Sequence, residues 1–389
     1  MPLPLYLLAV AVFAMGTSEF MLAGLLPDIA SDLGVTIGAA GSLSSAFAAG
    51  MVVGAPLTAV LARTLPGRRG LLGALALFTA AHAAGAVAPD LPVLLATRVV
   101  AALAAAGFLA VALSTAAALV PADRKGRALA VLLSGTTVAT VAGVPAGAAL
   151  GSALGWRAVF WAVAALCLPA ALGVLTGVPA GPAPGDAAER PAVRAEFGRL
   201  ANPRLAAVML LAALVNAATF AGFGYLAPVV TGTAGLDPSW VPAVLALFGA
   251  GSFAGITAAG RLSDRYPGRV LAVGGALLLI GWFGLALLAD RPAALLPLVF
   301  AQGALSFAVG ATLITRVLYE AAGAPTLAGA CATAALNLGA AAGPLAGAAV
   351  LGTAAGERGP FWLGGLLVAA ALLLAALLRP AVPLRPAER

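Results

Sequence analysis

Charge is scarce in this chain. Only 9% of its 389 residues are Asp, Glu, Lys or Arg, against about 25% in an ordinary soluble domain. With 62% hydrophobic residues and a mean hydropathy of +1.07, a water-soluble globular fold is excluded. Histidine occurs once and cysteine twice. Cys167 and Cys331 lie in separate apolar stretches, with no ligand spacing to each other or to His82, so neither a disulfide framework nor a zinc site is expected. The chain has no GxxxxGKS or GxxxxGKT sequence, which argues against an ATP-driven pump. One histidine and two distant cysteines do not make the usual catalytic sets, so no enzymatic activity and no cofactor or metal is expected. Met1 to Leu5 carry no Lys or Arg, and the apolar stretch that follows contains Glu19. It reads as a retained spanning helix rather than a cleaved signal.

What is abundant is the apolar run. Stretches of about 20 such residues, each long enough to cross about 30 Å of hydrocarbon as a helix, recur from end to end. Bounded by charge, Pro or Gly, they lie near residues 4 to 25, 38 to 62, 71 to 88, 92 to 119, 126 to 151 and 155 to 178, then 204 to 230, 239 to 261, 269 to 289, 293 to 317, 325 to 354 and 359 to 379. The predicted fold is an all-α membrane protein of twelve spans, with both termini on one side. Residues 179 to 203 carry Pro179, Pro182, Pro184, Pro191 and Pro203 among Asp186, Glu189, Arg190 and Arg194. Too polar to insert, they read as a linker between halves 1–178 and 204–389.

The cations orient the chain. Of the 21 Lys and Arg, three (Arg157, Arg291, Arg358) fall on the side away from the termini and Arg98 lies inside a span. The other seventeen fall on the terminal side: Arg63, Arg68, Arg69, Arg124, Lys125, Arg127, Arg190, Arg194, Arg199, Arg204, Arg261, Arg265, Arg269, Arg316, Arg379, Arg385 and Arg389. Cytoplasmic loops retain cations, so both termini are predicted to be cytoplasmic. The net charge of +7 then divides into +10 inside and −3 outside, with Glu19 and Arg98 cancelling within the membrane. It is an orientation signal, and no nucleic-acid partner is expected.

The halves repeat at an offset of 201 residues: Pro27 with Pro228, Gly50 and Gly54 with Gly251 and Gly255, Arg68 with Arg269, and Gly155, Arg157, Phe160 and Trp161 with Gly356, Arg358, Phe361 and Trp362. Six spans per half give both copies the same topology, related by an axis along the membrane normal, the arrangement of the two halves of major facilitator transporters. Gly143, Gly147 and Gly151 in the fifth span, and Gly339, Gly343 and Gly347 in the eleventh, recur every fourth residue beside Pro145 and Pro344. Such a stripe permits close helix approach. It serves either static packing or a surface on which the halves rock.

Among the acids only Glu19 is deep in a span. Glu19 lies eight residues before Pro27 and Arg98 six after Pro92, so both sit roughly 10 Å below the outer boundary at 1.5 Å per residue. Ionisable residues at such depth mark pathways, and a purely structural ion pair is the alternative. The functional expectation makes Glu19 the proton carrier and Arg98 its partner. His82, at similar depth, is either a packing residue or a further titrating group. Asn216 with Thr219, Tyr225, Gln302 with Ser306, and Thr333 with Asn337 are polar groups in second-half spans. They act either as interhelical glue or as the few polar groups of an apolar cavity walled by Phe20, Phe220 and Phe223.

The motifs resemble those of the major facilitator superfamily. Gly260, Arg261, Leu262, Ser263, Asp264 and Arg265 are similar to its cytoplasmic gating loop, whereas the loop after the second span, LARTLPGRR, keeps Arg68 and Arg69 without the acid. Arg98 resembles the arginine of the family's fourth span, and GVPAG, containing Gly143, Pro145 and Gly147, resembles its antiporter signature. GTSEFMLAGLLPDI, from Gly16 to Ile29, resembles the twelve-span drug and proton antiporters. VPADRKGR, QGALSFAVGATLITRVLY, GAPTL and AALNLGAA are similar to segments of actinobacterial chloramphenicol exporters. The resemblance implies proton-coupled export of chloramphenicol, a neutral amphiphile, by a monomer in the lipid of a bacterial plasma membrane. Export of another metabolite, such as a sugar or amino acid derivative, is the alternative on the same fold.

Overall fold

The computed structural model describes residues 1–61, 67–121, 124–179, 202–262, 265–321 and 327–378, which are helical without any strand. In lipid no water completes a backbone hydrogen bond, so an apolar run of this length closes its bonds internally as a helix. The first half comprises span 1 (Leu3–Phe20, continued by Leu22–Asp32), span 2 (Ile37–Leu61), span 3 (Gly67–Ala86), span 4 (Leu91–Ala118), span 5 (Lys125–Val138 and Val144–Leu154) and span 6 (Trp156–Gly177). The second comprises span 7 (Pro203–Gly224, continued by Leu226–Pro228), span 8 (Trp240–Leu262), span 9 (Pro267–Leu288), span 10 (Pro292–Glu320), span 11 (Ala328–Leu351) and span 12 (Gly359–Leu378). Among the described residues, eleven helices are long and apolar enough to cross a membrane. Span 3 carries Arg68, Arg69 and His82, which lower its apolarity at the same length. The chain is a multi-pass membrane protein. The predicted linker lies almost wholly outside the described residues, as does Asp264.

Local chemistry sets the helix ends. Asp90 accepts a 2.9 Å hydrogen bond from the Val93 amide at the start of span 4, and Asn202 does the same for Arg204 at span 7, satisfying amides that a first helical turn leaves free. Prolines open spans 7, 9 and 10, where a missing N–H costs nothing. Inside span 5, Pro145 has no N–H to offer a preceding carbonyl. The five residues Ala139–Gly143 widen into a π-type turn just before it. A matching wide turn, Val229–Thr233, follows Pro228.

The repeat is visible in the backbone. Among the described residues, the four with positive φ are glycines in two pairs, Gly34 (64°) with Gly235 (61°) and Gly155 (84°) with Gly356 (52°), each pair 201 positions apart. The same offset governs packing. A Cβ on Gly50 would meet Val99 and Ala102, and one on Gly54 Leu103 and Ala106, whereas Gly251 and Gly255 lie against the backbone of Phe300 and Ala304. Spans 2 and 4 thus cross as spans 8 and 10 do.

The halves meet through span 2 on span 11 and span 8 on the Ala139–Leu154 stretch of span 5. Gly38 faces Ala348, Gly41 faces the Tyr225 hydroxyl, and Gly249 lies on the Thr140 carbonyl. These contacts lie from mid-membrane to the face opposite the termini. On the terminal side, Leu205, Val208, Val317, Ala321 and Ala332 form a cluster of second-half residues alone. The contacts of Gly38 and Gly41 join the halves near the face opposite the termini.

Candidate functional site

Three consecutive residues near the end of the first helix of span 1 point into three environments. Ser18 faces spans 3 and 4, Glu19 is half-buried, and Phe20 reaches the other half.

On the Ser18 side the hydrogen bonds fix one another. His82 Nδ1 lies 2.9 Å from the Phe78 carbonyl, which can only accept, so Nδ1 carries the proton. In the neutral imidazole Nε2 then accepts, and the Ser18 hydroxyl, 2.7 Å away, donates to it. The lone pairs of that hydroxyl remain for Arg98, whose Nη1 donates to Ser18 Oγ at 2.8 Å while Nη2 donates to the Ser18 carbonyl at 2.7 Å. Arg98 is fully buried. Its guanidinium carbon sits 4.5 Å from the Phe47 ring centroid, a cation–π contact that offsets part of its desolvation.

Glu19 and Arg98 do share a layer, and Arg98 acts on the carboxyl through space. The direct ion pair of the alternative reading is not formed: Arg98 spends both terminal nitrogens on Ser18. A serine or phenylalanine in an apolar helix carries no signal of its partner, so the roles of Ser18 and Phe47 are visible only in the structure.

On the Phe20 side lies a cavity between the halves. Phe20, Thr140, Thr219, Phe220, Phe223, Phe248 and Phe307 line a small, partly open space. Phe20 packs on Phe220 at 5.7 Å and on Phe223 at 6.4 Å between ring centroids, and Phe223 continues to Phe248 at 4.7 Å. Thr140 and Thr219 bond back to the Thr137 and Val215 carbonyls of their own helices. The wall is aromatic with two hydroxyls and no charge.

Of the expected cavity residues, Phe20, Phe220 and Phe223 line this space, whereas Asn216, Tyr225, Gln302, Ser306 and Asn337 do not. Asn216 donates to the Leu336 carbonyl at 2.7 Å, tying span 7 to span 11. Tyr225, fully buried, donates to the Pro344 carbonyl at 2.7 Å. Gln302 donates to the Leu278 carbonyl of span 9 at 3.2 Å, Asn337 bonds within its helix to Thr333, and Ser306 is buried without a partner among the described residues. Asn216, Tyr225 and Gln302 thus each bond to a neighbouring helix. Thr140, Phe248 and Phe307 complete the wall instead.

The glycine stripes pack against helices of their own half. Gly143 and Gly151 press on Thr17 and Leu25 of span 1, and Gly147 lies near Met21 and Val159. Gly339 and Gly343 press on the backbone of Ala213 and Ala217, and Gly347 on Tyr225. All are contacts within one half. Gly249, by contrast, is apposed to Thr140 of the opposite half. Near the end of span 8, Gly260 is exposed, and the Arg265 and Arg269 guanidinium groups sit 5.4 and 5.2 Å from the Tyr266 ring centroid.

Apolar helices in two repeated halves, with a space between them, are the architecture of a membrane transporter. The sequence matches the family profile of the Major Facilitator Superfamily over residues 8–317 and 209–389, and the chain belongs to that superfamily. It is 70% identical over 374 residues to the chloramphenicol resistance protein of Streptomyces lividans, covering 96% of this chain and 95% of that one. It is 34% identical over 371 residues to the inner membrane transport protein YdhP of Escherichia coli K12, covering 95% and 94%. Among solved structures, a bacterial homologue of the human lysosomal transporter Spinster, in an inward-facing and occupied conformation, superposes with a TM-score of 0.75 at 18% identity over 96% of both chains.

Proposed function

We propose that the protein exports chloramphenicol or related neutral amphiphilic drugs by alternating access, in exchange for protons, and so confers resistance. The observation that carries this reading is the 70% identity, over 96% of the chain, to a protein named for chloramphenicol resistance. The cavity supports it: an uncharged aromatic box with two threonines suits an aromatic, neutral, partly polar solute. Glu19 is the proton carrier in this account, with Arg98 setting the field around it. The halves 1–178 and 204–389, joined by a cytoplasmic linker at 179–203, move as two bodies, and Asp264 and Arg265 belong to a cytoplasmic gating loop. Both termini face the cytoplasm of a bacterial plasma membrane, where the protein works as a monomer in lipid and without catalysis.

Expression in a drug-sensitive host tests the substrate. The expected result is raised tolerance to chloramphenicol with the drug recovered chemically intact from the medium. Unchanged chloramphenicol tolerance beside raised tolerance to another compound transfers the reading to a different exporter. A chemically altered drug overturns transport in favour of an enzyme.

A further inference from the structure

Ser18 carries a chain of hydrogen bonds in which every direction is determined. The Phe78 carbonyl orients His82, His82 takes the Ser18 hydrogen, and the hydroxyl and carbonyl oxygens of Ser18 both remain for Arg98. The imidazole is held as firmly as it is bonded, with the Phe78 and Phe160 ring centroids 4.1 and 5.8 Å away. One residue along the chain, the Glu19 carboxyl has no hydrogen-bond or ion-pair partner among the described residues. An arginine buried within reach of a carboxylate normally prefers it, because charge-assisted pairs outrank neutral acceptors. Here a neutral acceptor holds the cation. His82 makes this possible by turning the hydroxyl hydrogen away from the guanidinium.

We propose that Ser18 and His82 are positioning residues that withhold Arg98 from Glu19 and thereby set the external acidity at which Glu19 takes up its proton. The inference rests on the reading of Glu19 as proton carrier. A permanent Glu19–Arg98 ion pair would hold the carboxyl ionised and stall a cycle that must load a proton on one side and release it on the other. The clamp and the carboxylate compete for the same guanidinium, so weakening the clamp strengthens the pair. Arg98 from span 4 and His82 from span 3 are the charged or titratable groups facing this turn. Span 2 presents Phe47, span 5 presents Thr136, Ala139 and Gly143, and span 6 presents Phe160.

The test is chloramphenicol uptake into everted vesicles at fixed external pH and a series of lumenal pH values, with the protein in each membrane quantified. Ser18→Ala is expected to move the half-maximal lumenal pH in the acid direction by about tenfold in proton concentration, the scale of one charge-assisted hydrogen bond. Ser18→Thr, which keeps the hydroxyl, is expected to restore the wild-type midpoint. His82→Leu, which frees the Ser18 hydrogen, is expected to move it the same way by less. A purely structural role lowers the rate at an unchanged midpoint. Equal midpoints in wild type, Ser18→Ala and His82→Leu therefore overturn the proposal. Should Ser18→Ala fail to reach the membrane, His82→Leu decides alone by the same criterion. Wild-type vesicles that show no uptake driven by the pH gradient overturn proton coupling itself, an outcome distinct from a coupled transporter whose variants keep its midpoint.

Discussion

Phe20 stacks on Phe220 across the junction of the two halves, with ring centroids 5.7 Å apart and planes inclined by 29°. Because Phe20 follows Glu19 directly in span 1, the residue proposed to bind the proton and the residue on the cavity wall move together. Aromatic pairs contribute about 0.5–1.5 kcal/mol beyond their buried area. Phe20→Ala is therefore expected to raise the KM for drug by about three- to tenfold, while the lumenal pH midpoint stays where it was. Concentration series of gradient-driven uptake measure both. An unchanged KM contradicts the placement of the drug against this ring.

Gly249 and Gly339 separate motion from packing. A Cβ on Gly249 would strike the Thr140 carbonyl of the opposite half, whereas one on Gly339 would strike the Ala213 carbonyl within its own half. Gly249→Val is expected to leave a folded protein displaced from this arrangement, with an Ala348→Cys reporter labelled by an impermeant maleimide about fivefold faster or more, the sign of a population shift. Gly339→Val is expected to lower the amount and thermal stability of the protein without that gain in labelling. Equal labelling in both variants contradicts the assignment.

At the face opposite the termini, Asp32 accepts hydrogen bonds from Arg157 and Trp156, which hold its carboxyl below the usual aspartate range near 3.8. A carboxyl whose folded value is depressed contributes stability above its unfolded value, and that contribution is lost as pH falls through the folded one. With both side chains largely exposed, the pair is worth about 0–1 kcal/mol. Asp32→Asn is expected to lower the Tm slightly at neutral pH. The difference from wild type should vanish in strong acid and shrink in high salt. A Tm difference that persists below both values contradicts the electrostatic origin.

Gly155, at φ 84° and ψ 156°, occupies a region open essentially to glycine alone. No atom lies within 4 Å of the Cβ it lacks, so the cost of substitution is conformational, not steric. Gly155→Ala is expected to destabilise the protein by about 1–3 kcal/mol, read as a lower thermal midpoint in detergent. A neutral effect contradicts the backbone assignment.

The spans and the repeat were legible because they are written in hydropathy and in glycine. Twelve apolar runs need no tertiary information, and Gly155 with Gly356 mark in sequence the same positive-φ turns that the backbone repeats. Helix rotation was not legible. Lipid and protein interior are equally apolar, so these helices carry little amphipathic signal. Nothing in the sequence distinguished Tyr225, turned onto the Pro344 carbonyl, from Phe223, turned onto the cavity. For the same reason the depth of Glu19 and Arg98 was readable while the choice of Ser18 as the arginine's partner was not. Depth follows from counting residues; partnership follows from rotation.

The most direct test of coupled export is chloramphenicol accumulation in everted vesicles under an imposed pH gradient, acid in the lumen. The account predicts accumulation that a protonophore collapses and that Glu19→Gln abolishes, with the variant present in the membrane at wild-type amounts. Full gradient-driven accumulation in Glu19→Gln, or none in the wild type, contradicts it.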